Sequence, residues 1–244
     1  MAGADWQRFV EPWWKSKAEA IEQSVGDEVQ SDFLDRFDFS SLGLVSPPEA
    51  ATPDLLTQVE RHFGEVPHPR WADPGHPTLV VQAAHVLDAV LGREGGSGDE
   101  CRSGGPVDLG TIGTMVRWGG GFGLQVWIQR QMGCRATEFV IDLPVMSRLQ
   151  EAFLSRNLPA DQVQIYDGEF REGAINLVPL ARVDDVPDAE VFCALHTLDE
   201  STVEAQEYVV GRRFFGASTR LLAWTPRHPD FAGSDNWMTL MREL

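Results

Sequence analysis

A glycine-rich turn and an acidic residue that follows it give the clearest chemical signal in the sequence. The run Gly119–Gly123 comes directly after the apolar segment Thr114–Trp118, and Asp142 ends the next apolar segment, 23 positions after Gly119. Glycines between a strand and a helix permit positive φ angles and let the backbone approach a ligand at the positive end of the helix dipole. An acid about 20 residues further on accepts hydrogen bonds from ribose hydroxyls in nucleotide-binding βαβ units. The spacing therefore predicts a nucleotide site.

The spacing of the glycines discriminates between nucleotides. The dinucleotide fingerprint GxGxxG would need its last glycine at Leu124 or Val126, depending on which glycine begins the motif. A P-loop would need Lys-Ser or Lys-Thr after the glycines, and the sequence has neither there. Gly119, Gly121 and Gly123 form the pattern GxGxG instead. This pattern argues against NAD, FAD and a P-loop nucleotide.

Three residues are candidates for proton transfer in catalysis: His196, Glu200 and His228. His196 and Glu200 follow the predicted strand EVFCAL, and His228 lies in a loop after the predicted strand RLLAW. Histidine suits a general base because its pKa lies near neutral pH. His196 could instead cap the next helix, and turn chemistry alone explains the prolines around His228. No metal site is expected, and the sequence contains neither GxSxG nor HExxH.

The elements that must position these residues alternate between short strands and helices from Gly113 onward. This alternation predicts an α/β fold with βαβ units and a parallel sheet. Such sheets bind ligands at the carboxyl ends of their strands, near the topological switch point. The predicted strands are TMVRW, EFVID, VQIY, INLVPL, EVFCAL and RLLAW, and the predicted helices span residues 124–132, 145–156 and 201–213.

A helical N-terminal cap is predicted for residues 1–92, followed by a Gly/Ser-rich flexible linker or lid at 93–106 and the core at 107–244. Two further helices of the cap would begin near Pro53 and Pro77. The apolar face of the first helix fits packing against the core, a substrate lid or a homodimer face, and we favour packing. That face consists of Trp6, Phe9, Val10, Trp13 and Trp14.

Composition excludes several classes of partner. The net charge is −17, and a phosphate backbone or an anionic membrane would be repelled by such a surface. No apolar run is long enough to span a bilayer, and the N-terminus lacks the features of a secretory signal. The three cysteines lack CxxC spacing and are interpreted as reduced thiols. We therefore expect a cytoplasmic enzyme that binds neither nucleic acid nor membranes.

The run WGGGFG…FVIDLP…LSR…INLVPL…AEVFCALHTLDE resembles the class I S-adenosylmethionine-dependent methyltransferases. Within them it is most similar to the sugar O-methyltransferase family of bacterial biosynthetic clusters. The resemblance covers roughly residues 112–225, about half of the chain. It implies a Rossmann-like core, S-adenosylmethionine as cofactor, and methyl transfer to a hydroxyl of a small-molecule acceptor in sugar or natural-product biosynthesis.

The resemblance also implies roles for individual residues. The glycines would line the methionine half of S-adenosylmethionine, Asp142 would hold its ribose, and Leu143 and Val178, with Pro179, would lie near its adenine. This makes INLVPL the third core strand; in a competing register the third strand is VQIY, and Asp167 reaches the adenine. The implied cofactor-binding set is Arg117, Gly119, Gly121, Phe122, Gly123, Asp142, Leu143 and Val178.

Arg117 departs from the family pattern, which has an acid two residues before the first glycine. This reversal of charge leaves two alternatives open. The chain could use S-adenosylmethionine for cyclisation or elimination, or it could be a non-catalytic partner subunit.

Overall fold

A computed structural model describes residues 6–25, 107–224 and 233–243, together with Val29 and Phe231. These residues form five α-helices: α1 (Pro12–Val25), α2 (Leu124–Gln131), α3 (Pro144–Asn157), α4 (Val203–Gly211) and α5 (Gly233–Glu243). They also form six strands: β1 (Thr114–Trp118), β2 (Thr137–Asp142), β3 (Val163–Ile165), β4 (Ile175–Pro179), β5 (Val191–Leu195) and β6 (Thr219–Ala223). Short 3-10 helices occupy Trp6–Phe9, Ala160–Gln162 and Leu180–Asp185.

The six strands form one parallel sheet in the order β3-β4-β2-β1-β5-β6. This is an α/β, Rossmann-like architecture, as the sequence predicts. The chain winds outward from β1 in both directions, so β1 lies beside β2 on one side and β5 on the other. Because crossovers between parallel strands are right-handed, this reversal puts α2 and α3 on one face of the sheet and α4 on the other. The switch point lies between β1 and β5.

The register of the sheet settles which strand follows β2. Strand β4 pairs directly with β2, and Pro179 lies opposite Asp142. The preferred register, with INLVPL as the third core strand, is therefore confirmed. The VQIY segment contributes β3, a parallel edge strand beyond β4. The buried amide of Asn176 donates to the carbonyls of Arg171 and Ala174 and thereby holds the short connection between the two strands.

Local sequence explains where the central elements begin and end. Strands β1, β2 and β5 are almost entirely buried, as expected for a parallel sheet that is covered on both faces. Pro144 stands in the first turn of α3, where its missing N–H costs nothing. Gly133 ends α2 with a φ of 96°. Thr202 caps α4, since its hydroxyl accepts a hydrogen bond from the N–H of Ala205.

The N-terminal residues 6–25 pack against the core. Phe9 and Val10 are buried, and the ring of Phe9 lies 6.3 Å from that of Trp118. The hydroxyl of Thr202 donates to the carbonyl of Arg8 at 2.7 Å. The packing interpretation of the aromatic stripe is confirmed, although the stripe is not one continuous helix: a 3-10 turn gives way to α1 at Pro12, which has no N–H to continue the helix.

The rest of the predicted cap and the linker at 93–106 lie outside the described residues, apart from Val29. The division into cap, linker and core stays a prediction, as does the homodimer face. No helix in the described part of the chain is long and apolar enough to cross a membrane.

Candidate functional site

The glycine turn lies between β1 and α2 at the switch point of the sheet. Gly119, Gly121 and Gly123 have φ angles of 75°, 54° and 101°, values that side-chain-bearing residues rarely adopt. A Cβ on Gly119 would lie 2.5 Å from a side-chain carbon of Thr197. No atom of the described residues lies within 4 Å of where a Cβ on Gly121 would stand. The turn is therefore closely packed at Gly119 and open to an approaching ligand at Gly121.

Asp142 lies across the turn, at the carboxyl end of β2. Its Oδ2 accepts hydrogen bonds from the N–H of Gly120 at 2.8 Å and from the side-chain amide of Gln150 at 2.7 Å. Its Oδ1 accepts from the N–H of Leu143 at 2.8 Å. Burial raises the pKa of Asp142 to about 6, although all three hydrogen bonds favour the ionised carboxylate. Asp142 is thus largely ionised at neutral pH and remains partly exposed.

His196 follows β5 at the same edge of the sheet. Its backbone is left-handed, with a φ of 54°, and its N–H donates to the carbonyl of Ala223 at 2.7 Å. Positive φ in a residue with a side chain is uncommon and costs of order 1–3 kcal/mol, so the surrounding structure must hold it. The next residue, Thr197, donates its hydroxyl to the carbonyl of Trp118. This bond joins the end of β5 to the start of the glycine turn.

Glu200 lies one turn beyond His196 and contacts the N-terminal helix. The indole of Trp14 donates to its Oε2 at 3.2 Å. Burial and the neighbouring Asp199 raise the pKa of Glu200 to about 8, and the bond from Trp14 opposes this shift. Glu200 is therefore protonated at neutral pH, and it could accept a proton from a substrate only at higher pH.

Arg117 lies in the interior, not in the crevice. It is fully buried, and its Nε donates to Oε1 of Glu138 at 2.8 Å, while one terminal nitrogen donates to Gln125 at 2.6 Å and the other to Gln129. The terminal nitrogen that donates to Gln125 also contacts the sulfur of Cys193. We correct the expectation that Arg117 contacts the cofactor, because its guanidinium is enclosed between the strands and α2.

The side chains of three other predicted ligand contacts have little exposed surface. Val178 is fully buried within β4, and Phe122 packs edge-on against Phe153 with 5.4 Å between the ring centroids. Leu143 is 9% exposed. At the end of β4 the partly exposed residue is Pro179. His228 lies outside the described residues.

Gln150 and Thr197 are the site residues that the sequence reasoning missed. Gln150 joins Asp142 to the glycine turn, and Thr197 packs on Gly119. A signal for Gln150 was present, because this amide interrupts the apolar stripe of α3 formed by Met146, Leu149 and Phe153. Nothing in the sequence around Thr197 distinguishes it.

Among the described residues, no group of three or more His, Cys, Asp or Glu side chains could hold a metal ion.

Comparisons with known proteins find a distant similarity to a solved structure. No protein-family model and no curated protein matches the sequence. Among solved structures, the chain is similar to the mitomycin 7-O-methyltransferase MmcR, with 16% identity and a TM-score of 0.29. The similarity covers 76% of this chain and 57% of that enzyme's chain, less than two thirds of its length. A similarity at this level carries no argument about fold or function, and the fold assignment rests on the sheet itself.

Proposed function

We propose that the chain is an S-adenosylmethionine-dependent methyltransferase that acts on a hydroxyl of a small molecule, in sugar or natural-product biosynthesis. One observation carries the proposal: the GxGxG turn is held to Asp142 by the bond from the N–H of Gly120, and the turn is open at Gly121. Both features lie beside the switch point, where sheets of this kind bind nucleotides. The resemblance of the sequence to class I methyltransferases selects this cofactor among nucleotides.

The residues at this edge fit the cofactor in two respects. The open face of Gly121 admits a ligand close to the backbone. Oδ1 of Asp142 accepts a single hydrogen bond from the described residues, and a carboxylate oxygen can accept a second, here from a ribose hydroxyl. Pro179, beside Asp142 in the sheet, would flank the adenine. When bound, S-adenosylmethionine supplies an electrophilic methyl group.

His196 would accept the proton of the acceptor hydroxyl. The left-handed backbone fixes the residue at the end of β5, beside Thr197 and the glycine turn. A general base contributes roughly 10²–10⁴-fold to the rate, and holding the acceptor in line with the methyl group contributes further. Glu200, protonated at neutral pH, would supply a hydrogen-bond donor in this region rather than a second base.

The alternative of cyclisation or elimination was motivated by Arg117. That residue is enclosed by Glu138, Gln125 and Gln129, so its positive charge gives no reason to prefer such chemistry. A measurement of turnover distinguishes the proposed enzyme from a non-catalytic subunit.

Calorimetry with S-adenosylmethionine and S-adenosylhomocysteine tests the proposal, with NAD as the control nucleotide. We expect both sulfur ligands to bind and NAD not to bind. Incubation with methyl-labelled S-adenosylmethionine and a panel of sugars and phenols should then release S-adenosylhomocysteine and label an acceptor oxygen, read by mass spectrometry. Binding of NAD alone would overturn the proposal, and binding without turnover across the panel would favour the non-catalytic alternative.

A further inference from the structure

Gln150 lies on α3 with its side chain completely buried beneath the glycine turn. Its amide nitrogen donates to Oδ2 of Asp142 at 2.7 Å and to the carbonyl of Gly121 at 2.8 Å. One side chain thus contacts both the acid and the open glycine of the candidate site. Together with the bond from Gly120 to Asp142, these contacts close a ring of hydrogen bonds between the turn and the end of β2.

Packing alone does not account for an amide at this position. Three of its neighbours on the buried face of α3, Met146, Leu149 and Phe153, are apolar. The Oε1 atom of Gln150 is buried and has no hydrogen-bond partner among the described residues. A buried acceptor without a partner destabilises a fold, and an apolar residue here would avoid that cost. The two hydrogen bonds that its nitrogen donates point to a role for that nitrogen.

The orientation of the amide follows from its surroundings. Turning it over would place Oε1 against the carbonyl oxygen of Gly121 and the carboxylate of Asp142, both of which are acceptors. Only the nitrogen can face them while Asp142 is ionised. Oδ2 of Asp142 is then fully occupied by two donors, and the carboxylate is held with Oδ1 free to accept one more bond.

We propose that Gln150 is a positioning residue for the nucleoside: it fixes the carboxylate of Asp142 and couples it to the glycine turn, so that the ribose contact and the turn act as one unit. This inference rests on the proposed function of the site. Gln150 does not itself touch the ligand, because it has no exposed surface.

The hydrogen bond from Gln150 also affects the protonation of Asp142. Burial raises the pKa of Asp142, and the hydrogen bonds from Gly120, Leu143 and Gln150 lower it; no charged side chain is among the described groups that shift it. Removal of the amide donor should therefore raise the pKa. A residue with a merely structural role in α3 would leave this pKa unchanged.

The test replaces Gln150 with methionine, which keeps the length of the side chain but cannot donate. Calorimetry with S-adenosylhomocysteine from pH 5.5 to 8.5 should show affinity about tenfold lower for Gln150→Met at pH 7, with the midpoint of its pH dependence shifted to higher pH. Ser147→Ala, a buried change on the same helix, is the matched control and should match the wild-type protein. An unchanged affinity and midpoint in folded Gln150→Met would overturn the proposal.

A second measurement separates this inference from the proposed function. Carbon-13 NMR of the Asp142 carboxyl gives its pKa in the ligand-free protein, and Gln150→Met should raise it. If the wild-type protein does not bind S-adenosylhomocysteine, the proposed function fails, while the NMR titration still decides whether Gln150 acts on Asp142. If Gln150→Met does not fold, Gln150→Glu replaces it and should raise the same pKa, because a second carboxylate opposes ionisation. An unchanged pKa in the folded variant would overturn the coupling.

Discussion

Two polar clusters flank the glycine turn and differ in what they leave exposed. The interior cluster consists of Arg117, Glu138, Gln125 and Gln129, and none of its side chains reaches the crevice. The edge cluster consists of Gly120, Asp142 and Gln150, and its carboxylate stays partly exposed. In the first, Arg117 is paired with Glu138 in the interior and joins β1, β2 and α2. In the edge cluster, Oδ1 of Asp142 can accept one further hydrogen bond, from a ligand.

The difference shows that distance from the glycines along the chain does not decide the role of a charged residue. Arg117 is two residues from Gly119, but its side chain lies on the face of the sheet covered by α2, where Gln125 and Gln129 are one helical turn apart. Asp142 is 23 residues away in sequence, yet it bonds to the turn because β1 and β2 end at the same edge.

The largest expected effect comes from breaking the interior cluster. Arg117→Met leaves the carboxylate of Glu138 buried without its partner and should lower the free energy of unfolding by about 3–5 kcal/mol, measured by urea denaturation. The double variant Arg117→Met with Glu138→Leu removes both charges and should recover most of that loss. Ligand affinity that falls while stability holds in Arg117→Met would instead place Arg117 in the site.

Replacing His196 tests the chemistry at the carboxyl edge. His196→Ala and His196→Gln should lower turnover by roughly 10²–10⁴-fold and leave S-adenosylmethionine binding nearly unchanged, since glutamine keeps hydrogen bonding but accepts no proton at neutral pH. Rates and binding are measured by product release and calorimetry. Wild-type turnover in both variants would make His196 structural and shift attention to His228, whereas loss of binding would show that it shapes the pocket.

Asp142→Ala should lower the affinity of the edge cluster for a nucleoside without unfolding the protein. Loss of a hydrogen bond to a charged group costs about 1.5–3 kcal/mol, and calorimetry with S-adenosylhomocysteine measures it. In the wild-type protein, affinity should fall as pH is lowered through about 6, where Asp142 becomes protonated. Asp142→Asn should lack this dependence, and wild-type affinity in folded Asp142→Ala would mean that another acid binds the ribose.

The smallest effect concerns Glu200, whose pKa is raised from its ordinary value of 4.5 to about 8. The folded protein binds this proton more tightly than the unfolded chain, so Glu200 favours folding at low pH, and this contribution is lost as pH rises from about 4.5 through 8. Glu200→Gln does not titrate, and its Tm should exceed that of the wild-type protein more at pH 9 than at pH 6.5.

Two further variants sharpen the measurement on Glu200. Glu151→Gln, an exposed change on α3, should leave the pH dependence of Tm as in the wild-type protein. Trp14→Phe removes the donor that opposes the shift and should move the loss of stability to higher pH. If the difference in Tm between Glu200→Gln and the wild-type protein is the same at pH 6.5 and pH 9, Glu200 is already ionised in the folded protein across this range.

Much of the core could be predicted from local sequence. Each predicted core strand appears within a residue or two of its expected position, because alternating apolar runs and glycine stops act over a few residues. The glycine turn and Asp142 were predicted for the same reason: the length of a βαβ unit returns the chain to the same edge. The aromatic stripe alone, without Pro12 as a boundary, predicts a helix that begins before the observed α1.

The directions of side chains and their distant partners were decided only by the tertiary structure. Arg117 turns inward because Glu138, Gln125 and Gln129 surround it, and Val178 is covered because β4 pairs with β2 on one side and β3 on the other. Gln150 bonds to Asp142 because α3 crosses beneath the turn. The sequence determined which elements form and which edge carries the acid and the glycines, since those depend on local pattern. Which of the nearby charges remains available to a ligand depends on packing between segments far apart in the chain.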